Sequence, residues 1–150
     1  EKQKTKRIYG VLENQFRTYY SKAARRKGVT GEMLLQMLEC RLDNILYRLG
    51  FASSRKAARQ LVRHRHVSVN GRTVDIPSFQ VSPGDNVQIR EKSRQLQLIH
   101  DALKRTGDGG QSTWLSVDKV NLSGTLVEYP KREEIPTPVE EQLIVELYSK

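Results

Sequence analysis

The apolar positions of this chain keep a helical rhythm through its first sixty residues and then switch to alternation. "YGVLENQFRTYYSKAARRKG", residues 9–28, spaces Val11, Leu12, Phe16, Tyr19, Tyr20 and Ala23 for one helix face, with Gly28 as the expected stop. Thr30 follows as an expected N-cap, and Glu32 sits in the first turn, where the helix dipole favours an acid. Leu34, Leu35, Leu38, Leu42, Ile45, Leu46 and Leu49 then form an apolar stripe that ends at Gly50. Periodicity alone leaves open whether that stripe is one helix or two meeting near Cys40. Ser53 or Ser54 is expected to cap the next helix, which turns Ala58, Leu61 and Val62 inward.

Period two begins at "HVSVNGRTVDI", which alternates around Asn70-Gly71, a two-residue hairpin signal because both positions accept positive φ. "FQVSPGDNVQIRE" predicts a second pair of short strands around Pro83-Gly84-Asp85. Ser93 is expected to open a helix with Leu96, Ile99, Ala102 and Leu103 on one face, closing at Gly107 before the polar loop "GDGGQS". "TWLSV" and "GTLVEYP" read as extended. In "TPVEEQLIVELYSK", Thr137, Pro138 and Glu140 predict a capping box, and Val139, Leu143, Ile144 and Leu147 need an apolar surface, for which the first helices are the expected partner.

Composition changes the picture mainly through charge. The 150 residues suffice for one domain, or two small ones sharing a core. The formal net charge of +9 and pI of about 9.8 favour an anionic partner such as nucleic acid or acidic lipid. That charge is uneven: residues 1–40 carry a net +5, residues 41–94 a net +7 and residues 95–150 a net −3. Cys40 is the single cysteine, so neither an intrachain disulfide nor a cysteine zinc cluster can form, which fits a reducing compartment. No apolar run is long enough to span a bilayer, and nothing resembles a signal peptide. The chain begins without Met, which suggests that an amino-terminal piece has been removed.

The basic residues fall into two clusters. On a helix over 54–65, Arg55, Lys56, Arg59 and Arg63 share an arc of about 100°, with Ala57, Ala58, Leu61 and Val62 mostly opposite. No acidic residue at i±4 relieves them, whereas a merely solvated face mixes signs. Phosphates would supply the missing anions, and the planar fork of Arg pairs with them bidentately. Arg41, His64, Arg65, His66 and Asn70 lie close by in sequence and join the candidate RNA contacts. The second cluster comprises Lys4, Lys6, Arg7, Arg17, Lys22, Arg25, Arg26 and Lys27, interleaved with Tyr9, Tyr19 and Tyr20. Aromatics among cations can stack on exposed bases, or they can pack the core. Adjacent Tyr19 and Tyr20 cannot both face inward fully, so Tyr20 is kept as a candidate contact.

At this point the residues resemble a known family. "RLDNILYRLGFASSRKAARQLVRHRHVSVNGRTVDIPSFQVSPGDNVQIREKS" resembles the RNA-binding domain named after small-subunit ribosomal protein S-four. "IYGVLENQFRTYYSKAARRKGVTGEMLLQMLECRLDN" and "EEQLIVELYSK" are similar to the bacterial-type members of that protein family, so the resemblance covers essentially the whole chain. It implies an α+β fold: a helical domain over 1–40 completed by 132–150, and a two-helix and hairpin RNA-binding module with a small antiparallel sheet over 41–131. It implies a cytoplasmic, ribosome-bound primary binder of small-subunit ribosomal RNA that nucleates assembly, without cofactor or metal. It further implies contact with a neighbouring small-subunit protein at an interface linked to decoding accuracy, and repression of its own messenger RNA. Glu140, Glu141 and Glu146 would repel RNA and suit a basic neighbouring protein. The family normally carries an amino-terminal extension, sometimes with metal-binding cysteines and with basic residues near the messenger entry, which residues 1–150 do not include. Neither role carries over.

Three rivals are weaker. The same module is appended to pseudouridine synthases, tyrosyl-tRNA synthetases and rescue factors, so an RNA-modifying enzyme fragment or a rescue factor is the alternative. Arg41-Leu42-Asp43 echoes the synthase motif around the catalytic Asp, but "NILYRLG" replaces what should follow, and no length remains for a catalytic domain. Asp43 is expected to be structural, pairing with Arg48 or an arginine on the RNA side. His64 and His66 form an H-x-H pair with no carboxylate near them in sequence and only the distant Cys40 as a third ligand, so RNA contact or hairpin packing is the expectation rather than zinc. A membrane-surface helix would need Leu61 and Val62, which the module's core requires.

Overall fold

A helix precedes the first expected one, and Gly10 separates the two. Its φ of 69° ends α1 (Lys2–Tyr9) in a left-handed cap, a conformation glycine adopts without a Cβ penalty. The chain restarts as α2 (Glu13–Arg25) after extended Leu12. Val11 and Leu12 therefore lie between helices rather than on one face: Val11 is buried, and Leu12 is 80% exposed. The computed structural model describes residues 1–106 and 112–148.

These residues divide into two units, one formed by Glu1–Glu39 together with the chain from Pro130, the other by Cys40–Tyr129. In the first, α2 ends when Arg26 turns extended, two residues before the expected stop at Gly28. Thr30 is the first residue of α3 (Thr30–Glu39) rather than its cap. Phe16, Tyr19, Ala23, Leu34, Leu35, Met37 and Leu38 pack together with Ile135, Val139 and Ile144 from the carboxy-terminal segment. The Tyr9 hydroxyl reaches the buried Glu39 carboxylate and lies 2.8 Å from the Thr137 hydroxyl, so this core carries a satisfied polar centre.

The last helix, α7 (Glu141–Tyr148), packs on α3 and α1, as its apolar residues required, but its start differs from expectation. Thr137 is buried against Tyr9 and Pro138 precedes the helix, so the expected capping box does not form. Arg132 fixes the approach instead. Its Nε donates to Glu141 Oε1 at 2.8 Å, and its Nη atoms donate to the carbonyls of Ile135 and Val139. Glu141 lies directly on Gly31, where a Cβ would come within 2.7 Å of the Glu141 Cγ. Ile144 is buried, whereas Leu143 and Leu147 are 47% and 51% exposed, so half of the predicted apolar face is uncovered.

In the second unit the leucine stripe breaks at Cys40-Arg41, separating α3 from α4 (Leu42–Arg48). The helix α5 (Arg55–Arg63) packs on α4, and Ser54 Oγ caps it by accepting the Ala57 N–H at 3.0 Å. A five-stranded antiparallel sheet follows, in the order β2 (Arg72–Thr73), β1 (Val67–Val69), β3 (Asn86–Ile89), β5 (Ser123–Leu126), β4 (Leu115–Asp118). Asn70 and Gly71 form the expected hairpin turn with φ of 51° and 84°. Residues 79–90 give one strand rather than two. Gln80 makes an isolated bridge with Arg41 outside any strand, and β3 takes its partners from β1 and β5. Helix α6 (Gln97–Thr106) begins four residues after Ser93, which instead ends a 3-10 turn over Glu91–Ser93. The expected stop at Gly107 and the loop "GDGGQS" up to Gln111 lie outside the described residues. Leu49 seats α4 on the sheet at Gly124, where any Cβ would collide with its two methyl groups at 2.3 and 2.8 Å.

Candidate nucleic-acid interface

Helix α5 separates its residues cleanly. Ala58, Leu61 and Val62 are buried, while Lys56 and Arg63 are exposed and Arg55 and Arg59 are half-buried. The cationic arc is relieved by groups distant in sequence. Arg59 Nε lies 3.5 Å from Asp43 Oδ2, and Arg55 Nε donates to Asn44 Oδ1 at 2.8 Å. The Arg55 guanidinium also lies 4.5 Å from the centroid of the Tyr47 ring, a cation–π distance.

Arg41 does not belong to this surface. It is 3% exposed and holds Asp43 bidentately, Nε to Oδ1 at 3.1 Å and Nη2 to Oδ2 at 3.0 Å. A buried carboxylate needs a cation to offset it, and Arg41 is that cation. Asp43 pairs with Arg41 and also with Arg59, an arginine of the α5 arc, which is one of the two partners expected for it.

Past α5, exposed His64 ends the helix, and Arg65 takes a φ of 65° that turns the chain into β1. Arg65 pairs loosely with Asp75 at 3.5 Å. His66 is half-buried, its Nδ1 2.8 Å from Ser93 Oγ. Burial, and after it the nearby His64, Arg90 and Lys92, hold its pKa below the usual histidine value. Asn70 is exposed, but its side chain braces the turn: Nδ2 donates to Asp85 and Oδ1 accepts the Asn86 N–H, both at 2.9 Å. Both polar ends of the Asn70 side chain are thus engaged within the turn.

The amino-terminal cluster also sorts itself. Lys6 and Arg17 both bond Glu13, as does Lys2, and the two lysines hold the Glu13 carboxyl down at about 2. Lys4, Arg7, Lys22, Arg25, Arg26 and Lys27 are exposed, and Lys4 lies close enough to Glu1 to help lower its carboxyl pKa. Tyr19 is core, and half-buried Tyr20 stacks on Tyr148 with ring centroids 4.5 Å apart. Of the three glutamates assigned to a protein neighbour, Glu140 and Glu146 are exposed, while Glu141 is held by Arg132.

Residues 1–39 match the family model described as the ribosomal protein S4/S9 N-terminal domain, and residues 40–87 match the S4 domain. The small ribosomal subunit protein uS4 of Acidobacterium capsulatum is 60% identical over 150 residues, spanning 100% of this chain and 72% of that protein. The proteins of the same name from Geotalea daltonii and Cytophaga hutchinsonii are 59% and 57% identical, again over the whole chain and over 72% and 74% of their own lengths. The chain belongs to the uS4 family of small ribosomal subunit proteins. That family is structural rather than enzymatic, so the echo of a synthase motif at Arg41-Leu42-Asp43 carries no catalysis. No helix among the described residues is long and apolar enough to cross a membrane.

Within this uS4 framework the structure adds residues that the sequence reading passed over. Arg90 donates from Nη1 to the Arg65 carbonyl at 3.0 Å, and Arg90 and Lys92 lie close enough to His66 to depress its pKa. The register that pairs Val67 with Ile89 puts residues 66 and 90 side by side, and that pairing spans more than twenty residues of chain. Only the alternation of β3 hinted at it. Asn44 and Tyr47 lie between the apolar positions of the leucine stripe, where spacing gives them no signal, and they touch the α5 arginines.

Proposed function

We propose that the chain is a primary binder of small-subunit ribosomal RNA that nucleates assembly of the subunit and works on the ribosome in the cytoplasm. The observation that carries the reading is the arc of Arg55, Lys56, Arg59 and Arg63, presented by a capped helix in the unit that matches the S4 domain. Four cations on one arc, with a single buried acid beside them, favour a phosphate backbone. The exposed cations Lys22, Arg25, Arg26 and Lys27 support a second RNA contact from the helical unit. The outer face of α7, with Glu140 and Glu146 beside exposed Leu143 and Leu147, suits a neighbouring small-subunit protein, at an interface linked to decoding accuracy. Binding of its own messenger RNA, and repression through it, complete the proposal.

Chemical footprinting of purified small-subunit ribosomal RNA tests it. The chain should protect one contiguous junction of helices and leave an unrelated structured RNA unprotected at the same salt. Equal, diffuse protection of both RNAs would contradict specific binding.

A further inference from the structure

We propose that the first turns of α4 position the α5 arginines: Asn44 and Tyr47 hold Arg55, and Asp43, offset by Arg41, holds Arg59, in the geometry that meets the phosphate backbone. This rests on the RNA-binding reading above and names residues of α4 that act through α5. Long arginine side chains lose rotamer freedom on binding, and prior fixation removes part of that cost.

The chemistry of the holders matters. Asn44 is 0% exposed and offers Arg55 a neutral amide oxygen at 2.8 Å, which fixes the side chain without cancelling its charge. The Tyr47 ring, 4.5 Å from the guanidinium carbon, supplies a flat face that restricts the guanidinium plane. Asp43 is anionic and 1% exposed, and alone it would repel a phosphate. The bidentate bond from buried Arg41 offsets it, and the Asn44 N–H donates to its Oδ1 at 2.7 Å. The trio of Arg41, Asp43 and Arg59 keeps one net positive charge, and that charge lies on the α5 arc. The positions of all these groups follow from the packing of α4 on α5.

A double-mutant cycle on the full chain, read as affinity for purified small-subunit ribosomal RNA at moderate KCl, tests the inference. Arg55→Gln should weaken binding about tenfold, as loss of a charge-assisted contact does. Asn44→Ala should weaken it by between about twofold and tenfold. In the Arg55→Gln background, Asn44→Ala should add no further loss. Tyr47→Phe, which keeps the ring, should bind as the parent does, whereas Tyr47→Leu should weaken binding and lose that effect once Arg55 is Gln. If Asn44→Ala fails to fold, the two Tyr47 variants carry the same cycle. Losses that multiply in the double variants, or a Tyr47→Leu protein that binds normally, would overturn the positioning role. An Arg55→Gln protein of unchanged affinity would overturn the RNA-binding reading of α5 itself, a separate and recognisable failure.

Discussion

Arg41 and Arg63 are both arginines of the S4-domain unit, and their surroundings give them opposite consequences. Arg41 is the buried counter-ion of Asp43, so Arg41→Leu leaves a carboxylate without its bidentate partner and should cost about 3–5 kcal/mol of stability. Arg63 is exposed on the arc, so Arg63→Gln should leave the melting temperature in place and weaken RNA binding about tenfold. Thermal denaturation and filter binding on the two variants check both statements. Loss of RNA affinity without loss of stability in Arg41→Leu would contradict the burial argument. His66 adds a pH dependence at the same scale. Its folded pKa is depressed, chiefly by burial, so the unfolded chain takes up the proton first. Its contribution to stability is therefore present above about pH 6.5 and is lost as the pH falls through the window down to the folded pKa. An NMR titration should place the His66 transition below that of an unperturbed histidine, and His66→Gln should flatten the stability profile across that window.

At the scale of elements, what could be read in advance was what local chemistry decides. Ser54 capping α5, one of the two serines expected there, and the Asn70-Gly71 turn follow from residues adjacent in the chain, whereas periodicity left the break near Cys40 open. Expectations failed where a distant partner took over. Thr137 could have capped a helix, but its hydroxyl sits beside Tyr9, 128 residues away in sequence, and the helix starts four residues later. The alternation at 79–81 could have paired locally, but Asn86–Ile89 is held between β1 and β5. The site shows the same division. The cationic arc is visible in helical spacing, whereas its relief by Asp43 and Asn44 depends on how α4 packs. For α7 the structure separates residues that the periodicity grouped together. Ile144→Ala should destabilise the helical unit by about 2–5 kcal/mol, while Leu143→Ala on the exposed side should change stability by about 0.5 kcal/mol or less. Chemical denaturation distinguishes them, and equal losses would contradict the observed orientation of α7.

For the molecule as a whole, charge is distributed by task. The net excess of cations lies in residues 1–94, and the remainder of the chain, including α7, is net acidic. Each unit presents exposed cations of its own: Lys22, Arg25, Arg26 and Lys27 in one, and Lys56 and Arg63 of the α5 arc in the other. A chain with this distribution should owe most of its affinity to phosphate contacts and the release of their counterions. The salt dependence of binding to small-subunit ribosomal RNA tests that most directly, by filter binding over a series of KCl concentrations. With about six phosphates contacted, the logarithm of the association constant should fall against the logarithm of salt with a slope near −5. Replacing Arg55, Arg59 and Arg63 together with Gln should make that slope shallower by about three. A slope near zero for the parent chain, or one that the triple substitution leaves unchanged, would contradict the assignment of the α5 arc to the RNA backbone.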